Sequence, residues 1–191
     1  MGEEAVALHI YDSWLASGKI AFRSEFDGMD AKLFADFNRN SLIGMDAPVL
    51  TLRKPCGGKA VVPRTGHTAL LWFYDTSCSK CALEASVLPG VLDSETRIPL
   101  DFYAVYTGQD RSRWKAFRKS FKLNNKKIRL RHLWDPETAS DYLRLYGVIS
   151  TPKLYMIEPK GSIIGRRLEV ENLPQMLSLA EQIEQLYTNA K

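Results

Sequence analysis

Two cysteines, Cys78 and Cys81, are separated by two residues and lie where an apolar run gives way to a helical pattern. The run, residues 68–74 (TALLWFY), predicts a strand buried on both faces, and residues 79–92 predict the helix. Unpaired backbone N–H groups and the helix dipole stabilise an anion at a helix N-terminus, so we expect a lowered pKa at Cys78. The Lys80 ammonium, if it stays near, would add to this effect. Cys81, one turn further, is suited to resolve a mixed disulfide formed on Cys78.

Two other interpretations of the cysteine pair remain open at this point. The pair could consist of inert structural thiols, or it could be half of a zinc site completed by Cys56 and a histidine. Structural zinc sites draw on two such pairs or on Cys2His2 spacing, and none of His9, His67 and His132 has ligand spacing. The pattern therefore favours thiol–disulfide exchange, and Cys56 is interpreted as a spare thiol in a loop.

The charge of the chain is unevenly distributed. The formal net charge is +4, yet residues 111–131 hold ten Lys or Arg and no Asp or Glu, leaving 16 basic and 22 acidic residues elsewhere, a net charge of −6. Trp114, Phe117 and Phe121 recur near helical spacing and are expected to face the core, so that most of the charges form a solvated face. No nucleic-acid motif is present, and we expect no nucleic-acid partner. An acidic partner and an anionic membrane surface fit equally well.

The first 41 residues differ in character from the rest. Residues 3–17 and 30–39 predict two helices, the second with Asp30 as a possible N-cap. They are either the tail of a larger N-terminal region or a helical pair docked on the following unit, residues 42–191. No apolar run approaches the roughly 18–20 residues of a membrane span, and the N-terminus lacks the basic start and apolar core of a signal peptide.

The predicted elements of residues 42–191 alternate, which indicates an α/β fold. Alternation of strands and helices implies a sheet with helices on both faces, and a closing hairpin makes that sheet mixed. The predicted strands are 49–52, 60–62, 68–74, 101–106, 128–134, 153–157 and 162–165, and the predicted helices are 79–92, 110–121, 136–146 and 172–188.

Several segments together resemble one family, the TlpA/ResA group of extracytoplasmic thioredoxin-like thiol–disulfide oxidoreductases. The Gly-x-x-Ala-Pro entry motif of that group matches residues 44–48, and LLWFYDTSCSKCALE matches its active-site strand and helix. Glu84 matches a glutamate typical of the group, and residues 146–152 match the segment that carries the family's cis-proline. A helix and strand at 108–135 match the insertion that separates this group from plain thioredoxin. The resemblance covers roughly residues 42–188 and implies a thioredoxin-like fold.

The resemblance also implies roles for individual residues. Pro152 is expected to be cis, which would place Thr151 beside the cysteines with its backbone free to pair with a substrate peptide. Glu84 is either an acidic residue favourable to the helix dipole or the proton acceptor for Cys81. The residues expected at the substrate-contacting surface are Tyr74, Ser77, Lys80, Thr151 and Pro152.

The resemblance further implies a mode of action and a location. The redox-active disulfide Cys78–Cys81 would serve without a bound cofactor or metal. It would reduce protein disulfides, and an upstream protein electron donor would recharge it. The expected compartment is extracytoplasmic, the bacterial periplasm or cell envelope, with any signal or membrane tether outside this sequence.

Two other functions compete with thiol–disulfide exchange. A peroxiredoxin-like peroxidase needs Pro and Thr seven and three residues before its reactive cysteine, where this chain has Leu71 and Asp75. A non-enzymatic binding module would use the fold as a docking surface, with the basic stretch 111–131 as the contact. Of these, the binding module is the stronger alternative.

Overall fold

A computed structural model describes residues 3–189, which contain a seven-stranded mixed sheet. Its spatial order is β2-β1-β5-β4-β3-β6-β7, and β4 pairs in parallel with both of its neighbours whereas all other pairs are antiparallel. The strands are β1 Leu50–Arg53, β2 Lys59–Val62, β3 Thr68–Tyr74, β4 Leu100–Tyr106, β5 Ile128–Trp134, β6 Lys153–Ile157 and β7 Ile163–Leu168. The predicted mixed sheet is confirmed.

The two central strands, β3 and β4, are buried along their whole length. Successive side chains point to opposite faces, so β3 feeds two separate cores. Leu70, Trp72 and Tyr74 belong to the core on one face, and Leu71 and Phe73 to the core on the other. Continuous apolar sequence is needed here because neither face of these strands reaches solvent.

Helices cover both faces of the sheet, as predicted. The core around Trp72 contains buried residues of α3, α4 and α6, whereas the opposite core contains Tyr142 of α5. Leu92 of α3, Trp114 of α4 and Leu177 of α6 are each 2% exposed or less. The helices are α1 Glu3–Ile10, continued by a π-helical turn Tyr11–Leu15, α2 Glu25–Asn38, α3 Ser79–Glu95, α4 Arg111–Ser120, α5 Tyr142–Leu145 and α6 Leu173–Asn189, the last preceded by a 3-10 turn Val170–Asn172.

The predicted helix 136–146 is wrong for most of its length, because only α5 is helical there. Asp135 accepts hydrogen bonds from the backbone N–H groups of Ala139 and Ser140, each at 3.0 Å, which fixes a turn. Thr138 and Asp141 then adopt positive φ angles of 52° and 58°. A left-handed residue cannot continue a right-handed helix, so the helix begins only after Asp141.

The N-terminal helices begin and end differently from the prediction. The helix predicted at 3–17 is α-helical only to Ile10, and α2 begins five residues before Asp30 because Ser24 is its N-cap, accepting the N–H of Asp27 at 3.1 Å. No helix among residues 3–189 is long and apolar enough to cross a membrane.

Contacts on two sides dock these helices onto the sheet unit. Arg166 of β7, whose side chain is 3% exposed, donates to Glu4 at 2.7 Å and to Asn38 at 2.5 Å. Gly147 has a φ of 61°, and a Cβ at this position would overlap the carbonyl oxygen of Phe37. The helices are therefore packed against the rest of the chain through buried polar contacts and close backbone approach.

Candidate active site

The turn between β3 and α3 presents Cys78 as the N-cap of the helix. Asp75 builds this turn: its carboxylate accepts the N–H and the hydroxyl of Ser77, both at 2.7 Å, and its carbonyl accepts the Cys78 N–H at 3.3 Å. The Cys78 sulfur in turn accepts the backbone N–H of Cys81 at 3.2 Å. The sulfur thus occupies the position that Ser, Thr or Asp oxygens usually fill at a helix N-terminus.

The pKa values of Cys78 and Cys81 are shifted in opposite directions. Burial alone would raise the pKa of Cys78, but hydrogen bonds from the side chain and backbone of Cys81, with others from Thr151 and Lys80, outweigh it and lower the pKa. Cys81 is 2% exposed, and burial raises the pKa of its thiol to about 12. Of the two thiols, Cys78 is therefore the more acidic, and Cys81 holds its proton more tightly.

The segment before β6 closes the site on the other side of Cys78. The Thr151–Pro152 peptide bond is cis, and the Cys78 thiol lies 3.4 Å from the Thr151 carbonyl oxygen, to which it donates. Thr151 is partly exposed, whereas Pro152 is buried. The structure therefore brings Thr151 next to the cysteine pair, although it lies 73 residues after Cys78 in the sequence.

The Lys80 side chain does not lie against the Cys78 sulfur. Its ammonium pairs with Glu169 at 2.9 Å, and both side chains are more than half exposed. The contribution of Lys80 to the lowered pKa of the Cys78 thiol is a hydrogen bond from its backbone. Lys80 and Ser77 are both exposed beside the cysteine turn.

Glu84 is a buried carboxyl group on α3, one turn beyond Cys81. It is 7% exposed, and Trp72 of β3 donates its indole N–H to the carboxylate at 2.9 Å. Burial raises the pKa of Glu84 above its usual value, which the Trp72 hydrogen bond only partly offsets. No hydrogen bond joins Glu84 to Cys81 within residues 3–189.

Tyr74 was expected at the substrate-contacting surface, but most of its side chain lies in the core, and it borders only the groove beside Cys81. Its side chain is 1% exposed, and its ring stacks on Trp72 with centroids 4.4 Å apart and contacts Phe117 at 4.7 Å. Burial also raises the pKa of Tyr74. The strand alternation directs this side chain into the core beneath α3 and α4.

A groove beside Cys81 is a feature that the sequence did not reveal. It has a volume of about 300 Å³, and α4 contributes Arg113, Ala116 and Phe117 to its lining. Asp75, whose backbone N–H lies 3.5 Å from the Cys81 sulfur, lines it as well. An Asp three residues before a helix N-cap is a known turn signal and could have indicated this role. The packing of α4 carries no such signal.

Cys56 lies apart from the pair. It is exposed in the loop between β1 and β2, and the cavity of about 420 Å³ beside it is lined by His132 but by neither Cys78 nor Cys81. Burial lowers the pKa of His132 to about 4. Across residues 3–189, no three His, Cys, Asp or Glu side chains are grouped so as to hold a metal ion.

Comparison with solved structures shows a thioredoxin-like fold. The chain is similar to a thioredoxin-like protein from Bacteroides caccae, with 16% identity over 93% of this chain and a TM-score of 0.70; the match covers 62% of that protein. It is similar to a domain of a possible thiol-disulfide isomerase from Cytophaga hutchinsonii, with 23% identity, coverage of 78% and 99%, and a TM-score of 0.64. The thioredoxin domain of a thiol-disulfide oxidoreductase from Bacteroides vulgatus matches with 20% identity, coverage of 72% and 96%, and a TM-score of 0.61. No protein-family model and no curated protein matches the chain.

Proposed function

We propose that this protein is a thiol–disulfide oxidoreductase that reduces protein disulfides through Cys78 and Cys81. One observation carries the proposal: the Cys78 sulfur caps α3 and accepts the Cys81 N–H at 3.2 Å, while the Cys81 sulfur is buried one turn further. This arrangement favours a thiolate at the first cysteine and keeps the second protonated and out of reach of other thiols. An attacking thiol and a sheltered resolving thiol are the two parts that exchange requires.

The reaction balances without a cofactor. The Cys78 thiolate attacks one sulfur of a substrate disulfide, forming a mixed disulfide and releasing the other substrate sulfur as a thiolate. Cys81 then loses its proton and attacks the Cys78 sulfur, releasing the second substrate thiolate. Two electrons pass to the substrate, and the protein is left with a Cys78–Cys81 disulfide. A reduced thiol protein upstream would restore the dithiol.

Glu84 is the proposed proton acceptor for Cys81. A thiol with a pKa near 12 needs a base to react at neutral pH. The carboxylate of Glu84 lies one turn away on the same helix, held by Trp72, and its raised pKa makes it a stronger base than an exposed carboxylate. Proton transfer over that distance requires a small rearrangement or a bridging water.

The substrate backbone is proposed to lie along Thr151, which precedes β6 and is partly exposed beside the Cys78 sulfur. An extended peptide there would add to the backbone as a further strand does. Pro152 would shape this surface from beneath, and Ser77 and Lys80 would form its other edge. Tyr74, which is 1% exposed, would take part only where it borders the groove beside Cys81.

The finer assignment rests on the resemblance to the TlpA/ResA group. It supports the reducing direction, an extracytoplasmic location in the periplasm or cell envelope of a bacterium, and an upstream protein as electron donor. The entry motif at residues 44–48, the cysteine pair and the proline segment at 146–152 are the matching parts.

Trapping the intermediate tests the exchange mechanism. In a Cys56→Ser background, the reduced Cys81→Ser variant should form a stable mixed disulfide with a disulfide-containing protein, detected as a mass increase that dithiothreitol reverses. The matched Cys78→Ser variant should form none. Equal trapping by both variants, or by neither, would refute the mechanism.

The reduction potential of the cysteine pair tests the direction. Equilibration with thiol buffers followed by counting of free thiols by mass gives its value. A potential near that of thioredoxin, about −270 mV, supports a reductase, whereas one near that of DsbA, about −120 mV, indicates an oxidant or isomerase.

A further inference from the structure

We infer that a basic cleft beside α4 binds an acidic polypeptide segment of the protein whose disulfide is exchanged at Cys78, an inference that rests on the proposed function. The cleft lies between α4 and the β1–β2 loop, and its two adjoining parts have volumes of about 740 and 430 Å³. No Asp or Glu lines either part. The name basic cleft refers to the surface formed by Arg53, Lys54, Lys59, Arg111, Lys115, Arg118, Lys119 and Lys122.

Seven of the eight cations of the basic cleft form no ion pair among residues 3–189. The exception is Arg53 at its edge, which pairs with Glu137 at 2.7 Å, and the Arg118 guanidinium lies over the Trp114 ring at 4.8 Å. The Nε of Arg118 is buried with no hydrogen-bond partner in the described part of the chain. These groups therefore have unused capacity for negatively charged acceptors.

Part of the charge arrangement does not serve the stability of α4. Arg111, Lys115 and Arg118 follow one another at spacings of four and three residues, which places them on one face, and Lys122 lies just beyond the end of the helix. Like charges at these spacings destabilise a helix by about 0.2–0.5 kcal/mol per pair, and Arg111 in the first turn opposes the helix dipole, although Arg118 and Lys119 in the last turn complement it. Lys54 reaches the same cleft from a loop more than fifty residues earlier. Convergence of this kind is expected of a binding surface for an anion.

The walls of the basic cleft suit carboxylates better than nucleic acid or a membrane. Trp114 is 2% exposed, and the Trp134 ring packs against Trp114 and Tyr106 with centroids 5.0 and 6.5 Å apart, so both rings are engaged in the core and poorly placed to stack on a base as single-stranded nucleic acids require. The cleft is concave, and none of the exposed large apolar side chains lines it, so nothing would anchor it in a lipid surface. An acidic peptide meets both conditions.

The position of the basic cleft links it to the cysteine pair. Arg113 and Phe117 line the groove beside Cys81, while Arg111 and Lys115 line the basic cleft, so α4 separates the two. A helix is about 10–12 Å across, and an extended chain advances about 3.3 Å per residue. We therefore expect the acidic segment to begin roughly three to five residues from the substrate cysteine.

Matched peptides test this inference. Three synthetic peptides would carry the same intramolecular disulfide and differ only in five residues, all Glu, all Gln or all Lys, placed four residues away. Reduced protein is mixed with each peptide in a single turnover, and oxidation of the protein is followed by mass after alkylation. At low salt the Glu peptide should react about tenfold faster than the Gln peptide and the Lys peptide more slowly, with the differences falling to about twofold in 0.5 M NaCl.

Charge-reversed variants locate the effect. The double variant Lys115→Glu/Lys119→Glu should lose the preference for the Glu peptide while reacting normally with the Gln peptide. Arg64→Glu/Lys126→Glu is the control, because it makes the same change in net charge on exposed residues outside the basic cleft and should keep the preference. If the first variant fails to fold, Lys115→Gln/Lys119→Gln replaces it.

The outcomes separate this inference from the proposed function. Equal rates for the Glu and Gln peptides, or an equal loss in both double variants, would overturn the basic cleft and leave exchange intact. If no peptide oxidises the protein, exchange is refuted. Binding of a labelled, cysteine-free Glu peptide, measured by fluorescence anisotropy, then tests the basic cleft alone. Binding that salt and Lys115→Glu/Lys119→Glu both abolish would support it, and absence of binding would overturn it.

Discussion

The loops that carry Cys78 and Cys56 place the same type of side chain in two different environments. Cys78 sits in a turn held by Asp75, its sulfur accepts a helical N–H at 3.2 Å, and burial and hydrogen bonding both act on its pKa. Cys56 is exposed in the β1–β2 loop, which is closed by backbone bonds such as Lys54 N–H to the Gly58 carbonyl at 3.0 Å. Reactivity in this molecule is therefore a property of the turn and helix around the sulfur.

The largest expected effect separates the two loops directly. Cys78→Ser should lower the rate of disulfide reduction by at least about 10³-fold, the scale of losing a nucleophile, while Cys56→Ser should change it less than about twofold. The measurement is single-turnover reduction of a protein disulfide by each pre-reduced variant. A comparable loss in both variants would show that the comparison between the loops is mistaken.

A second effect concerns Cys81, which is buried whereas Cys56 is exposed. Because burial raises the pKa of Cys81, its thiol is protonated at neutral pH, and the resolving step depends on a base that removes this proton. Glu84→Gln should slow this step by about 10–100-fold at pH 7 and leave the first attack unchanged. Stopped-flow release of substrate from a preformed mixed disulfide measures it.

Two controls accompany the Glu84 variant. Glu171→Gln removes an exposed carboxylate near the same helix and should leave the resolving step unchanged. The folded pKa of Glu84 is raised by burial, so ionising it costs stability as pH rises from about 4.5 upward. Glu84→Gln should therefore raise the melting temperature at pH 7.5, by about 2–4 °C per kcal/mol, and leave it unchanged at pH 4. A lower melting temperature at pH 7.5 would show that the variant has damaged packing, and a slow resolving step would then be no evidence for proton transfer to Glu84.

The smallest expected effect compares one glycine near each loop. A Cβ at Gly108 would lie 2.5 Å from the Tyr106 hydroxyl and 2.7 Å from the Asp75 carboxylate, whereas Gly57 has open space around it but a φ of 91°. Gly108→Ala should cost about 2–3 kcal/mol and slow exchange, because it displaces the residue that builds the Cys78 turn. Gly57→Ala should cost about 1–2 kcal/mol, with exchange unchanged. Urea unfolding monitored by circular dichroism, together with exchange rates, measures both, and similar rates in the two variants would argue against a role for Asp75.

The sequence predicted the interior of the fold better than its polar details. Strands 68–74, 128–134 and 153–157 have the predicted bounds. The first and last are apolar runs that are buried almost throughout, whereas 128–134 alternates apolar and polar residues, and both patterns are typical of strands. The helix predicted at 136–146 failed because the hydrogen bonds of one carboxylate, that of Asp135, redirect the chain. Such local competition between side chain and backbone is not visible in hydrophobic periodicity.

At the candidate site, spacing identified the cysteines but not their neighbours. The ion-pair partner of Lys80, Glu169, lies 89 residues away, and only the tertiary structure brings the two together. Tyr74 was expected at the substrate-contacting surface, but the pleat of β3 directs its side chain inward. The basic cleft likewise depends on the β1–β2 loop meeting α4, which the charge count of residues 111–131 alone does not show.

The guanidinium of Arg166 has a consequence for any attempt to shorten this protein. A cut after Asn40 would follow an obvious change in sequence character, yet it would remove both Glu4 and Asn38, the acceptors of a side chain that is 3% exposed. The shortened protein would then hold a charge stripped of its acceptors on β7, next to the strand that follows Pro152. Truncation at this apparent domain boundary would therefore break a buried contact of the folded chain. Arg166 would have to be replaced with an apolar residue in the truncated protein.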